Sequence, residues 1–167
     1  MITHFCEKNK YSIPALTKNT IEVIRMKTRA QVLDGILQTT QMGQLGIRSV
    51  LDQNIRPALK KALVSQLKEF DGIEKQALAL MKDRNLRPKN LPPMLPASYR
   101  AITQARLLTG DKNTKIAAMM VTGNNKGMVK TLKNIHDFPQ SDNRVLELSQ
   151  KLYDTQVANM EQMKSFL

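Results

Sequence analysis

Between Leu33 and Leu51 the positions that avoid charge return every three or four residues: Leu33, Ile36, Leu37, Thr40, Gly43, Gln44, Ile47, Val50 and Leu51. That is one face of an α-helix. Asn19, with Glu22 three positions later, resembles a capping box, so the first long helix is expected from about residue 20 or 28 to 53. Residues 54–56 break the pattern, and Pro57 sits where a first helical turn tolerates a missing amide. A second stripe follows at Leu59, Ala62, Leu63, Gln66, Phe70, Ile73, Ala77, Leu80 and Met81, which predicts a helix to about Arg84. So short a connection makes the two helices an antiparallel hairpin.

Residues 85–96 hold four of the chain's seven prolines and are expected to be extended. A short helix is predicted over 97–109, stopped by Gly110, with Asp111, Asn113 or Thr114 able to cap the next. The third long helix is expected over 114–137, with Ile116, Met119, Met120, Gly123, Gly127, Thr131 and Ile135 on one face. Pro139 ends it, and Ser141 or Asp142 caps a fourth running to about Phe166, whose inner face is Val145, Leu148, Leu152, Thr155, Asn159, Met163 and Phe166. A hairpin, one long crossover and a second hairpin is the plan of a ferritin-like four-helix bundle. The expected fold is therefore all-α: one bundle domain over residues 28–167, a proline-containing crossover with a short extra helix, and residues 1–27 as an arm or the start of helix one.

Composition fits this plan. Among 167 residues there is no Trp, and only three Tyr and four Phe, so the core must be aliphatic with help from ten Met. The single cysteine, Cys6, excludes an intramolecular disulfide and a Cys-based zinc site. The histidines are His4 and His136, and no Glu-x-x-His occurs. A di-iron bundle needs two such motifs, so no metal, cofactor or catalytic residue is expected and the chain reads as a non-enzyme. Without an apolar leader or a run of 18 apolar residues, a cytoplasmic location is the expectation.

The formal charge is +12, concentrated before residue 134, whereas residues 134–167 are mildly acidic. Lys60, Lys61 and Lys68 on helix two, Arg84, Arg87 and Lys89 around the proline segment, and Lys126, Lys130 and Lys133 on helix three form a candidate anion-binding surface. No nucleic-acid-binding motif accompanies them, and a solvated surface is the plainer reading. Gln41, Gln44, Gln66 and Glu69 form a candidate buried polar belt, Gln44 facing Gln66 and Gln41 facing Glu69 across the first hairpin. Such a layer fixes helix register, or is the remnant of a ligand site. Gly123 and Gly127, four apart on one helix, either allow close approach of another backbone, making a candidate packing seam, or loosen the helix. Met119, Met120, Met128, Met160 and Met163 suit core filling better than copper binding.

The stretches TTQMG at 39–43, IAAMMVTGNNKGMVKTLKNI at 116–135 and NMEQMKSFL at 159–167 resemble a family of small uncharacterised helical proteins from Firmicutes, largely clostridial, over about residues 30–167. The resemblance implies a ferritin-like bundle without an established catalytic residue. Its members often carry His where Lys115 stands and Glu where Gln156 stands, and the resemblance then implies that this chain has lost two groups able to bind a metal. Spore-coat-type proteins in the wider ferritin-like group make a spore association conceivable. The expected function is a structural or interaction protein that self-associates, as a dimer, or binds another protein. The alternatives are a basic bundle that binds nucleic acid without sequence specificity and a degenerate metal or redox protein.

Overall fold

The computed structural model describes residues 27–89, 91–92, 94–138 and 142–167. The expected capping box at Asn19, and the tail residues His4 and Cys6, lie outside them, as do Pro139 and Ser141. Five α-helices follow one another, and no strand occurs among the described residues: α1 (Arg29–Arg48), α2 (Pro57–Lys82), α3 (Leu95–Arg106), α4 (Lys112–His136) and α5 (Asn143–Lys164).

Each start has a physical cause. Thr28 caps α1 in a capping box with Gln31, the Thr28 hydroxyl accepting from the Gln31 amide and the Gln31 side chain accepting from the Thr28 amide. Pro57 opens α2. Pro96 lies in the first turn of α3, so that helix begins two residues before the expected position. Asp111 caps α4 by accepting from the amides of Asn113 and Thr114. Asp142 caps α5 by accepting from Val145. The ends are equally local. Asn85 takes a left-handed backbone, φ 52°, and the Leu86 amide bonds back to Met81 O at 2.9 Å, closing α2. Lys115 reaches back from α4, donating to Arg106 O at 3.1 Å and to Thr109 O, and so caps α3 from outside it.

The four long helices surround one aliphatic core. Leu33, Ile36, Leu37, Leu59, Leu63, Ile73, Ile116, Leu152 and Met163 are almost wholly buried. The stripe predicted on α2 is buried at every position. On α5 the inner position is Gln156 in place of the expected Thr155; both fit the three-to-four spacing after Leu152, and packing on α4 selects the second. The start of α4 lies at the far end of α1, where the Arg56 amide donates to Asn113 Oδ1 at 2.8 Å. Its last turn meets the beginning of α1, where Lys27 donates to Asp137 O and to Asn134 Oδ1, each at 2.7 Å. Thus α4 runs antiparallel to α1. Arg84 and Asp142 join the end of α2 to the start of α5 at 2.6 Å, and Gln66 meets Gln162 further back, so α5 runs antiparallel to α2. The connection over residues 83–111 therefore travels the length of the bundle, as the hairpin–crossover–hairpin plan requires. In the resulting ring α2 and α4 stand at opposite corners.

A cationic cleft between α1, α3 and α4 as the candidate functional site

Three helices leave a cleft of about 610 Å³ between them. From α1 it takes two adjacent rows of side chains, Gln38–Met42–Gly46 and Thr39–Gly43–Ile47, each at four-residue spacing. From α4 it takes Met119, Thr122, Gly123, Lys126, Gly127 and Lys130. The short helix α3 supplies Tyr99, Ile102, Thr103 and Arg106, the face it turns to the bundle. Phe70, Gln66 and Gln156 form the floor. The cleft exists because α3 touches the bundle lightly. Thr103 is its one buried residue, and its polar anchors are Gln53 donating to Gln104 Oε1 at 3.1 Å, long bonds of Thr103 and Gln104 to Ser49 at 3.5 and 3.4 Å, and the Arg100–Asp52 ion pair on the surface. Leu107, just past its end, is the apolar plug that holds it down.

Glycines shape the walls. A Cβ on Gly43 would lie 2.8 Å from the Phe70 ring, so glycine lets that ring approach the α1 backbone closely. Gly123 has nothing within 4 Å of the same point and faces the open cleft. At Gly127 a Cβ would fall 2.0 Å from Gln156 Nε2 and 3.3 Å from Thr39 Cγ2. The two glycines differ, and neither loosens the helix, which is continuous over Lys112–His136. Gly127 is a close-approach site inside the bundle, where α5 and α1 side chains crowd the α4 backbone; Gly123 is open. The Thr131 hydroxyl lies 2.9 Å from Gly127 O and 3.1 Å from Gln156 Oε1, so its one proton can serve either.

The charge of the lining is one-sided. Arg106, Lys126 and Lys130 line it, and no Asp, Glu, His or Cys among the described residues does. None of the three cations forms an ion pair among the described residues. Lys130 Nζ donates to Gln38 Oε1 at 3.1 Å. Partial burial, helped by the nearby charge of Lys27, lowers the Lys130 pKa, since both disfavour its protonated form. At the floor Gln66 is 1% exposed and its Oε1 has no hydrogen-bond partner among the described residues. No cluster of three or more His, Cys, Asp or Glu able to hold a metal occurs among them either. This lining suits binding an anion beside apolar surface.

The predicted polar belt is rearranged. Gln41 and Gln44 do not meet Glu69 and Gln66. Both donate to Glu74, at 2.9 and 2.6 Å, one to each carboxylate oxygen. Gln66 turns instead to α5, donating to Gln162 Oε1 at 2.7 Å and Asn159 O at 3.3 Å. Glu69 is exposed and Gln41 half-buried, so only Gln44 and Gln66 of the expected belt are buried; the Glu69 carboxyl faces Asn159, partial desolvation raising its pKa and the Asn159 side chain partly opposing that. The reason is register. Residues 49–53 continue the course of α1 in successive turns, the Ser49 amide bonding Leu45 O and the Gln53 amide bonding Val50 O. The effective reversal comes later than residue 55, and the partners on α2 move on by one to two turns.

The predicted anion-binding residues do not form one surface. Lys60, Lys61 and Lys68 are exposed on α2, at the corner opposite α4. Arg84 is engaged by Asp142, and Lys89 stands 4.0 Å from Asp34. Arg87 is exposed near the end of α2, and Lys133 is exposed on α4 beyond the cleft. Only Lys126 and Lys130 of the predicted set enter the cleft, where Arg106 joins them. Lys115 and Gln156, the two positions at which the family resemblance implied lost metal ligands, are not brought together. Gln156 lies level with Gly127 and Thr131, some 12 to 16 residues along α4 from Lys115, roughly 20 Å at 1.5 Å per residue.

No protein-family model and no curated protein matches the chain. Among solved structures it is similar to the crystal structure of a DUF305 fragment from Deinococcus radiodurans, with a TM-score of 0.65 and 13% sequence identity over 82% of this chain and 93% of that one. At that identity the likeness concerns the fold alone: an all-helical, bundle-like arrangement.

Proposed function

We propose that the chain is a non-enzymatic binding protein, a ferritin-like bundle that holds a guest in the cleft between α1, α3 and α4. The observation that carries this is the lining itself: a largely apolar hollow of about 610 Å³ with three cations on it and no carboxylate or histidine among the described residues. Ligand sites are concave, largely apolar and few per protein, with a small number of polar groups that orient the guest. The ferritin-like reading is supported by the single long crossover between two antiparallel hairpins. The test is native mass spectrometry of the gently purified chain beside its Gly123→Phe variant, which fills the cleft from a position with open space around it. Wild type is expected to carry an added small-molecule mass that the variant lacks. Equal spectra, with no small molecule raising the melting temperature of the wild type, refute the reading.

Self-association along α4 is a second reading. Val129 and Leu132 stand three residues apart on it at 63% and 46% exposure, outside the cleft. Light scattering of wild type beside Val129→Lys/Leu132→Lys decides it: a dimer that the double variant dissociates supports it, and a monomeric wild type rejects it. The nucleic-acid alternative is weakened by the separation of the α2 and α4 lysines to opposite corners.

A further inference from the structure

We propose that the guest is a single-chain amphiphile with an anionic head, seated with its head at Lys126 and Lys130 and its tail along Met42, Phe70, Met119 and Ile102. This rests on the cleft being a binding site, and it adds the class of ligand. The cleft follows α4 from Ala118 to Lys130, about 18 Å at 1.5 Å per residue, so it is elongated. Its two ends differ. Lys126 and Lys130 are one turn apart at one end and project together. At the other end α3 brings Ile102, 56% exposed, and one turn further on Arg106, whose carbonyl accepts from Lys115 at the start of α4, so that end carries one cation beside apolar surface and the first carries two. Between them lie two methionines and a phenylalanine, side chains that fit an irregular flexible tail.

Charge decides the head. Lys126 and Lys130, one turn apart and without an ion pair among the described residues, repel each other, and partial desolvation already disfavours the protonated form of Lys130. An anion lying between Lys126 and Lys130 relieves both costs, whereas a metal ion or cationic ligand adds to them. A neutral apolar guest leaves them unchanged. The volume, within the roughly 300–1,000 Å³ of small-molecule sites, suits one chain. A carboxylate and a phosphate head share the chemistry argued here.

The experiment is displacement of dansyl-undecanoic acid from the full chain, followed by fluorescence, with every amphiphile below its micellar concentration. Competitors are palmitate, hexadecyl phosphate and the neutral methyl palmitate. Palmitate or hexadecyl phosphate is expected to displace the probe at least tenfold better than methyl palmitate, and the ratio of the two anions tells which head is native. Lys126→Gln/Lys130→Gln is expected to weaken the better anion at least tenfold, and Gly123→Phe to abolish probe binding. Lys60→Gln/Lys61→Gln, on the exposed outer face of α2, is expected to leave it unchanged. Methyl palmitate competing as well as palmitate overturns the anionic head and leaves the binding reading standing. Undiminished probe binding by Gly123→Phe, or none by wild type, overturns the proposal. The native mass of the wild type then decides separately whether the cleft holds another guest.

Discussion

Alanine at Gly123 and alanine at Gly127 are expected to move stability in opposite directions. The two sit one turn apart in the same helix, so the intrinsic gain from replacing glycine, about 0.5–1 kcal/mol, is common to both. At Gly123 the new methyl has no heavy atom within 4 Å, and the gain is realised in full. At Gly127 it would sit 2.0 Å from Gln156 Nε2 and 3.1 Å from its Cδ. Gln156 is 2% exposed, so its amide end has to swing aside toward the cleft it floors, and the bond it can accept from Thr131 is given up. Overpacking of this kind costs about 1–3 kcal/mol and a lost hydrogen bond about 1 kcal/mol. After the propensity gain, Gly127→Ala is left about 1–3 kcal/mol less stable than wild type. The two variants should differ by roughly 2–4 kcal/mol, or on the order of 5–15 °C at 2–4 °C per kcal/mol for a chain of this size. Urea unfolding followed by far-UV circular dichroism reads this as a shift in midpoint at constant slope. If Gly127→Ala is as stable as Gly123→Ala, the crowding at Gly127 is wrong and so is the division of the glycine pair.

Three further outcomes follow from polar groups. Asp142 caps α5 and pairs with Arg84 at 2.6 Å with 9% of its side chain exposed, so Asp142→Ala is expected to cost about 2–4 kcal/mol in urea unfolding. Glu74→Leu leaves the amides of Gln41 and Gln44 without their acceptor and is expected to cost about 1–3 kcal/mol, whereas Glu74→Gln, which keeps one acceptor, should cost less. Burial pushes the Asp142 carboxyl up, but hydrogen bonds from Arg84 and Val145 and the charges of Arg84 and Arg29 outweigh it; Asp111 is lowered chiefly by Thr114 and Asn113. Both folded-state pKa values lie below the ordinary aspartate value of about 3.9, so their stabilisation is complete above about pH 4 and is lost as pH falls through the folded values. Glu69, raised by partial desolvation, acts in the opposite sense: stability falls as pH rises from the ordinary glutamate value of about 4.3 through its folded value. Asp142→Asn should flatten the acid limb of a stability–pH curve and Glu69→Gln should remove the opposing rise; an acid limb unchanged in Asp142→Asn shows that the shift at that carboxyl is absent.

Helix existence and the α2 face were legible in the chain because three-to-four spacing and prolines act locally. So were Asp111 and Asp142, which cap within three residues of themselves. The pairing of helices was not. It depends on how far the turns after Arg48 carry the chain before it reverses, and a shift of that size moves Gln44 from Gln66 to Glu74. Glu74 did carry a signal, lying four residues after the buried Phe70 and eight after Gln66, at the edge of the apolar stripe. The cleft was the least legible feature, since it is the space left by a short helix that lies on the bundle by one buried threonine and a leucine past its end. Arg106 and Ile102 become part of a site only through that placement.

The long passage from α2 to α4 also sets the order of assembly. Gln44–Glu74 and Thr131–Gln156 close across 30 and 25 residues, so each hairpin can form from nearby chain. The seams that join the hairpins bind partners much farther apart: Lys27 with Asn134 across 107 residues and Gln66 with Gln162 across 96. Loop closure makes such contacts late. The expected order is hairpins first and docking second, and two fragments cut between Asn85 and Pro92 should then recombine at a rate proportional to their concentration.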